Sequence, residues 1–142
     1  MQFSTILSVF ALVGGALSQT SGTGSAGYDL VYDNPETSTL SLACSDGVNG
    51  LYTKGHLKLS DLPRFPRVAA AETVTGWNSP KCGACYNLTW EGVSVSVVVV
   101  DHTDSGFVLS LAALDTLAGG QGAGLGRVNI TWEEAIPANC GF

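Results

Sequence analysis

Four cysteines constrain this chain more than any other feature: Cys44 in CSDG, Cys82 and Cys85 in GWNSPKCGAC, and Cys140 in NCGF. Their even number, their separation and their place behind an apolar leader point to a disulfide framework, and so to an oxidising compartment. Four cysteines allow three pairings, and spacing alone does not choose among them. Joining Cys82 to Cys85 would give the C-x-x-C arrangement of redox enzymes, which is strained and labile, so that pairing is disfavoured. A zinc site would need reduced thiols and further ligands, while the only histidines are His56 and His102. No metal and no cofactor is expected.

Residues 6–13 (ILSVFALV) read as the apolar core of a secretion signal over residues 1–18, with Ala16 and Ser18 as the small residues before a cut at Gln19. The core is too short to cross a bilayer, which takes about 20 apolar residues. One departure from the usual pattern is that the first Lys or Arg is Lys54, so the leader's positive charge is its α-amino group alone. Residues 19–27, almost wholly Gly, Ser, Thr and Ala, offer no apolar surface to offset ordering entropy and read as a flexible N-terminal tail. Residues 28–142 show no repeat and no composition break, and read as one domain with a single core. The expected location is extracellular or in a cell wall. A net charge of -6 without any basic stripe disfavours nucleic acid and anionic membrane surfaces as partners.

Strands dominate the pattern. Residues 28–32 (YDLVY) read as an extended segment before the Asn34-Pro35 turn. Residues 86–90 (YNLTW) and 93–100 (VSVSVVVV) flank Glu91-Gly92 and read as a hairpin. Alternating Val and Ser, followed by four consecutive valines, predicts a strand buried first on one face and then on both, at the centre of the sheet. Residues 128–132 (VNITW) form a further strand after the glycine-rich stretch 119–126. One helix is expected over residues 111–118 (LAALDTLA), with Ser110 as its cap and Gly119 as its end. With 18 glycines and many short strands, the fold class is mostly β, a barrel or sandwich with short helices.

Six motifs in order then carry a family resemblance: CSDGVNGLYTKG (residues 44–55), LPRFPRV (62–68), GWNSPKCGAC (76–85), DHTDSGFVLSLAALDTLAGG (101–120), LGRV (125–128) and NCGF (139–142). Together they resemble the cerato-platanins, small secreted fungal proteins, over residues 28–142. The resemblance implies a six-stranded double-psi β-barrel like the first domain of expansins, with two disulfides, Cys44 to Cys82 and Cys85 to Cys140. Loop-closure entropy for bridges of that span is about 4 kcal/mol each, as an upper estimate.

Function rests on the polar residues. Asp101 ends the valine strand and is expected to emerge from the barrel into a surface groove; the resemblance matches it to an aspartate of expansins and related glycosidases. Glycoside hydrolysis takes two carboxyl groups flanking the bond. The candidates for a second, Asp46 and Asp104, lie in no motif resembling a hydrolase partner, so no catalytic residue is assigned. Sugar binding needs neutral hydrogen-bonding groups along a trough and an aromatic face. Trp77, Asn78, Asp46, Asn49 and Asp101 are the candidate carbohydrate-binding residues. Each has a purely structural reading as well: Trp77 as core filler, Asn49 as a turn residue before Gly50, Asp46 as an acceptor for its own loop, Asp101 as a buried anchor for the barrel loops. Arg64 and Arg127 read as loop anchors. Asn87-Leu-Thr and Asn129-Ile-Thr fit the glycosylation pattern and are candidates wherever the side chain faces outward.

The reading that follows is a secreted, non-catalytic protein binding chitin-type N-acetylglucosamine oligomers and other cell-wall polysaccharide. The resemblance adds expansin-like wall loosening and an elicitor role through a plant receptor. Two alternatives belong to other classes. One is a weak expansin-like or glucanase enzyme using Asp101 as acid. The other is a surface-active, self-assembling wall protein, against which the sequence sets an unexceptional apolar share and no visible amphipathic stretch.

Overall fold

The computed structural model describes residues 20–142, so the expected leader over residues 1–18, and Gln19, lie outside the described residues. Six strands form a closed barrel: β1 (Ser21–Tyr28), β2 (Val68–Ala71), β3 (Cys85–Trp90), β4 (Val93–His102), β5 (Phe107–Leu109) and β6 (Val128–Ala135), in the spatial order β1-β5-β2-β4-β3-β6. Two pairs, β1 with β5 and β2 with β4, are parallel and the others antiparallel, which is the crossed arrangement of a double-psi barrel. Two short helices complete it, α1 (Leu111–Leu117) and α2 (Gly122–Leu125).

The valine run behaves as its pattern demands. Val95 and Val97 point inward while Ser94 and Ser96 do not, and from Val97 to Val100 every residue is buried. Helix α1 packs on β4, and Cys44 donates its amide to the Val100 carbonyl, so segments outside the sheet help to bury this strand. The β3–β4 hairpin turns on Glu91 (φ 46°) and Gly92 (φ 79°), the left-handed pair a two-residue turn needs. A closed barrel has no central strand; β4 lies between β2 and β3. Inside, Tyr86, Phe107 and Trp132 meet edge to face with centroids 5.6–6.1 Å apart, a geometry that adds about 1 kcal/mol per pair to their burial.

Two further expectations are corrected. Residues 21–28 are not a tail but strand β1, antiparallel to β6 from Ser21↔Glu133 to Ala26↔Val128 and parallel to β5. Composition reports on side-chain burial alone, whereas this strand is held by backbone hydrogen bonds on both edges. Its small residues suit close approach: a Cβ on Gly27 would meet the Arg127 guanidinium at 2.8 Å. Residues 28–32 are not a strand either. The chain leaves β1 at Tyr28 and enters a 3-10 turn, Leu30–Asp33, capped by Asp29, whose Oδ1 accepts from the Val31 amide at 2.9 Å.

Helix α1 begins where expected. Ser110 Oγ accepts from the Ala113 amide at 3.1 Å, and Asp33 accepts from the amides of Leu111 (2.7 Å) and Ala112 (3.0 Å). The helix's otherwise unpaired first amides thus meet a carboxylate, which suits the positive end of its dipole. Leu114 and Leu117 are buried, and Gly119 (φ 61°) ends the helix. Part of the glycine-rich stretch that follows forms α2, whose Gly122 amide donates to Asp115 Oδ1 at 2.8 Å. Strands β2 and β5 are too short to show any alternation in sequence. The two disulfides join Cys44 to Cys82 and Cys85 to Cys140, as the resemblance implied, and leave no free cysteine among the described residues.

Candidate functional site

Four of the five candidate binding residues come together on two loops. The Cys44–Cys82 bridge ties the CSDGVNG loop to the GWNSP loop at their base. Gly47 (φ 86°) turns the first loop, and its Cβ position would lie 2.7 Å from Asn78 Oδ1, so only glycine fits there. Asn78 itself adopts a left-handed conformation (φ 58°), tolerable for Asn, which aims its side chain across the gap. There Asn78 Oδ1 accepts from the Asn49 amide at 2.9 Å, and Asn49 Nδ2 donates to the Asn78 carbonyl at 3.0 Å. Beside this reciprocal pair, Trp77 Nε1 donates to Asp46 Oδ1 at 2.7 Å. Trp77 is 62% exposed, so it is not core filler. Its ring is presented to solvent while its N–H is held by a carboxylate. Asn49, by contrast, locks the loops together as well as turning one of them.

Asp101 lies at the end of β4, half-buried and fully engaged. Its Oδ2 accepts from the Tyr32 hydroxyl at 2.8 Å; its Oδ1 accepts from the amides of Ala43 at 2.8 Å and His102 at 2.9 Å. Burial, reinforced by the bond to Asp101 and by the negative charges of Asp101 and Asp29, pushes the Tyr32 phenol well above its usual value, so it stays a donor. The bond to Ala43, next to Cys44, links Asp101 to the first loop, but no hydrogen bond among the described residues joins it to Trp77, Asn78, Asp46 or Asn49. His102 ties the rim's other side: Nδ1 meets the Val74 carbonyl at 2.6 Å and Nε2 meets Asp104 Oδ1 at 3.1 Å. The Val74 carbonyl first, and Asp104 second, hold this imidazole above its ordinary value.

Neither possible second carboxyl group bonds to Asp101. Asp46 is engaged by Trp77, and Asp104 by His102. Tyr32 and the Ala43 amide were not legible as partners of Asp101, since they lie 69 and 58 positions away. The meeting of the two loops had a signal in the Cys44–Cys82 bridge that the resemblance implied. Arg127, read as a loop anchor, donates from Nη1 to the Ser25 hydroxyl on strand β1 at 2.7 Å.

A broad surface depression lies away from Asp101. A shallow groove of about 720 Å³ runs along the β1–β6–β3 wall, lined among others by Thr23, Thr89, Trp90, Asn129 and Thr131, and contains none of the five candidate residues. Both glycosylation candidates are on this side of the barrel, Asn129 exposed on β6 and Asn87 half-buried on β3.

A family model described as cerato-platanin matches residues 24–142. The "Allergen Asp f 15 homolog" of Arthroderma benhamiae is 44% identical over 124 residues, covering 86% of this chain and 60% of that protein, so the chain spans less than two thirds of that relative's length. The crystal structure of cerato-platanin 3 from M. perniciosa matches with a TM-score of 0.81 at 39% identity, over 85% of this chain and 100% of that one. A mutant expansin of Clavibacter michiganensis, solved in complex with cellohexaose, matches with a TM-score of 0.56 at 15% identity, over 82% of this chain and 50% of that one, a likeness of fold alone.

Proposed function

The chain belongs to the cerato-platanin family, and from that premise we propose that it is a secreted, non-catalytic protein that binds N-acetylglucosamine oligomers of chitin and related wall polysaccharide on the Trp77–Asp46 rim. One observation carries the reading. An exposed indole is pinned by its own N–H to Asp46 and stands beside the Asn49–Asn78 clasp, so an aromatic face and amide groups are set in place before any ligand arrives. Preorganisation of this kind lowers the ordering cost of binding. The two disulfides suit the oxidising exterior to which such a protein would be exported. Wall loosening, and perception by a plant receptor as an elicitor, extend the same proposal.

The enzymatic alternative fits less well. A general acid must carry a proton and give it to a leaving group. Asp101 instead spends both oxygens on three donors, an arrangement that makes it an anchor for Tyr32 and the Cys44 loop. A surface-active role is favoured by one observation: Leu30, Leu40 and Leu57 are 61%, 51% and 49% exposed. Surface-tension measurement of the purified protein tests that reading by itself.

Titration with N-acetylglucosamine oligomers, followed by amide shifts and tryptophan fluorescence, tests the main proposal. The expected outcome is a saturable response mapping to Trp77, Asn78 and Asn49, abolished in Trp77→Ala with the fold intact. No response at millimolar oligomer, or a response undiminished in Trp77→Ala, refutes it. Release of reducing sugar that disappears in Asp101→Asn while binding persists would establish the enzyme instead.

A further inference from the structure

Two sequence motifs take no part in the rim: Asn87-Leu88-Thr89 on β3 and Asn129-Ile130-Thr131 on β6, each an acceptor pattern for N-linked glycan. Along a strand, residues i and i+2 share a face. Leu88 and Ile130 are buried at 0% and 3%, so in both motifs the Asn and its Thr face away from the core. Facing outward therefore does not separate the two. Their neighbours do.

Asn87 lies between two strands, opposite Ser96 on β4 and Glu133 on β6. It is half-buried, and its Oδ1 accepts from Ser96 Oγ at 2.5 Å, while the Thr89 hydroxyl is engaged with Ser94 Oγ at 2.7 Å. Two residues before it, Cys85 is bridged to Cys140, which holds the last turn of the chain alongside, and Arg64, Arg67, Ala138 and Asn139 wall the same hollow. Asn129 has none of this. Pairing of β3 with β6 stops at Thr89↔Thr131, so Asn129 has a strand partner on one side only, Ser25 of β1. Asn129 and Thr131 are both exposed, and neither makes a side-chain hydrogen bond to a described residue. They open onto the broad groove along this wall.

We propose that Asn129, and not Asn87, is the site of N-linked glycosylation. The inference rests on the export assumed in the proposed function, because the co-reactant is a lipid-diphosphate-linked oligosaccharide of the secretory pathway. In the transfer, Asn129 Nδ2 bonds to the anomeric carbon of the sugar next to the diphosphate. The bond from that carbon to the diphosphate oxygen breaks, the lipid diphosphate leaves with the electron pair, and the amide gives up one proton. The folded barrel holds the product without disturbance, since the glycan lies over a groove that no rim residue lines.

The test is secretion of the full chain from a yeast host, behind a host signal and in parallel behind its own leader. Purified protein is treated with peptide-N-glycosidase in heavy-oxygen water and read by intact and peptide mass spectrometry. The expected result is a drop in mass with heavy oxygen incorporated at position 129. Asn129→Gln and Thr131→Ala each abolish the drop, two independent variants that keep the test sound if one fails to fold; Asn87→Gln leaves it unchanged. Exported protein with no change in mass overturns the proposal, and so does label at position 87, alone or together with 129. Failure of the native leader alone, with glycan on the protein carried by the host signal, refutes the assumed export and not the site.

Discussion

Asp101→Ala should destabilise the fold more than it disturbs any chemistry. The carboxylate satisfies three donors: the Tyr32 hydroxyl and the amides of Ala43 and His102. His102 is exposed, so its amide turns to water at little cost, whereas Tyr32 is 6% exposed and Ala43 is half-buried. A buried donor left without a partner costs about 1–3 kcal/mol. Two such donors, with water entering part of the gap, give roughly 3 kcal/mol, or about 10 °C in Tm for a domain of this size. Asp101→Asn keeps one oxygen for the two amides and surrenders the charge, for about 1 kcal/mol. Tyr32→Phe removes the same hydroxyl from the other side, so the double variant should show a coupling of about 1 kcal/mol rather than simple addition. Urea unfolding with both bridges intact, read by tryptophan fluorescence and circular dichroism, supplies the numbers. If Asp101→Ala lies within about 0.5 kcal/mol of the parent while oligomer binding or sugar release vanishes, the anchoring role is wrong and Asp101 belongs to the site itself.

Three further outcomes are expected. Replacing both cysteines of either bridge by serine should lower stability by up to about 4 kcal/mol, since the loops close 38 and 55 positions, and reduction of both should unfold the chain at ambient temperature in a denaturation assay. Deleting residues 20–28 should yield aggregating or unfolded protein, because β5 and β6 lose the strand between them; a folded, monomeric truncation by size exclusion would contradict the closed barrel. His102 should titrate above 6.5 by NMR. A raised folded value means that its contribution to stability is complete below the unfolded pKa and fades as pH rises through the folded one, while Asp104→Asn lowers the midpoint only in part because the Val74 carbonyl remains.

The parts of this fold legible in sequence were those whose side chains carry the pattern. The Val/Ser alternation running into four valines, the Glu91-Gly92 turn and the Ser110 cap each encode their structure within a few residues. Strand β1 was illegible because its reason for existing lies in the edges of β5 and β6 and not in its own Gly, Ser and Thr. The same distinction holds at the rim. Trp77, Asn78, Asp46 and Asn49 stood out through loop chemistry, and a single bridge explains their meeting. That Tyr32 would claim one oxygen of Asp101 followed from no local signal, since YDLVY reads equally well as a strand until the Asp29 cap turns it.

The placement of β1 carries a consequence for how such a chain can be matured or engineered. The Thr20 carbonyl already accepts from the Glu134 amide, and Ser21 opens the register with β6. Each position trimmed from Ser21 onward would unzip one rung of the wall. An affinity tag fused at this end, or a processing enzyme that overshoots, therefore acts on closure of the barrel as directly as a substitution in its interior.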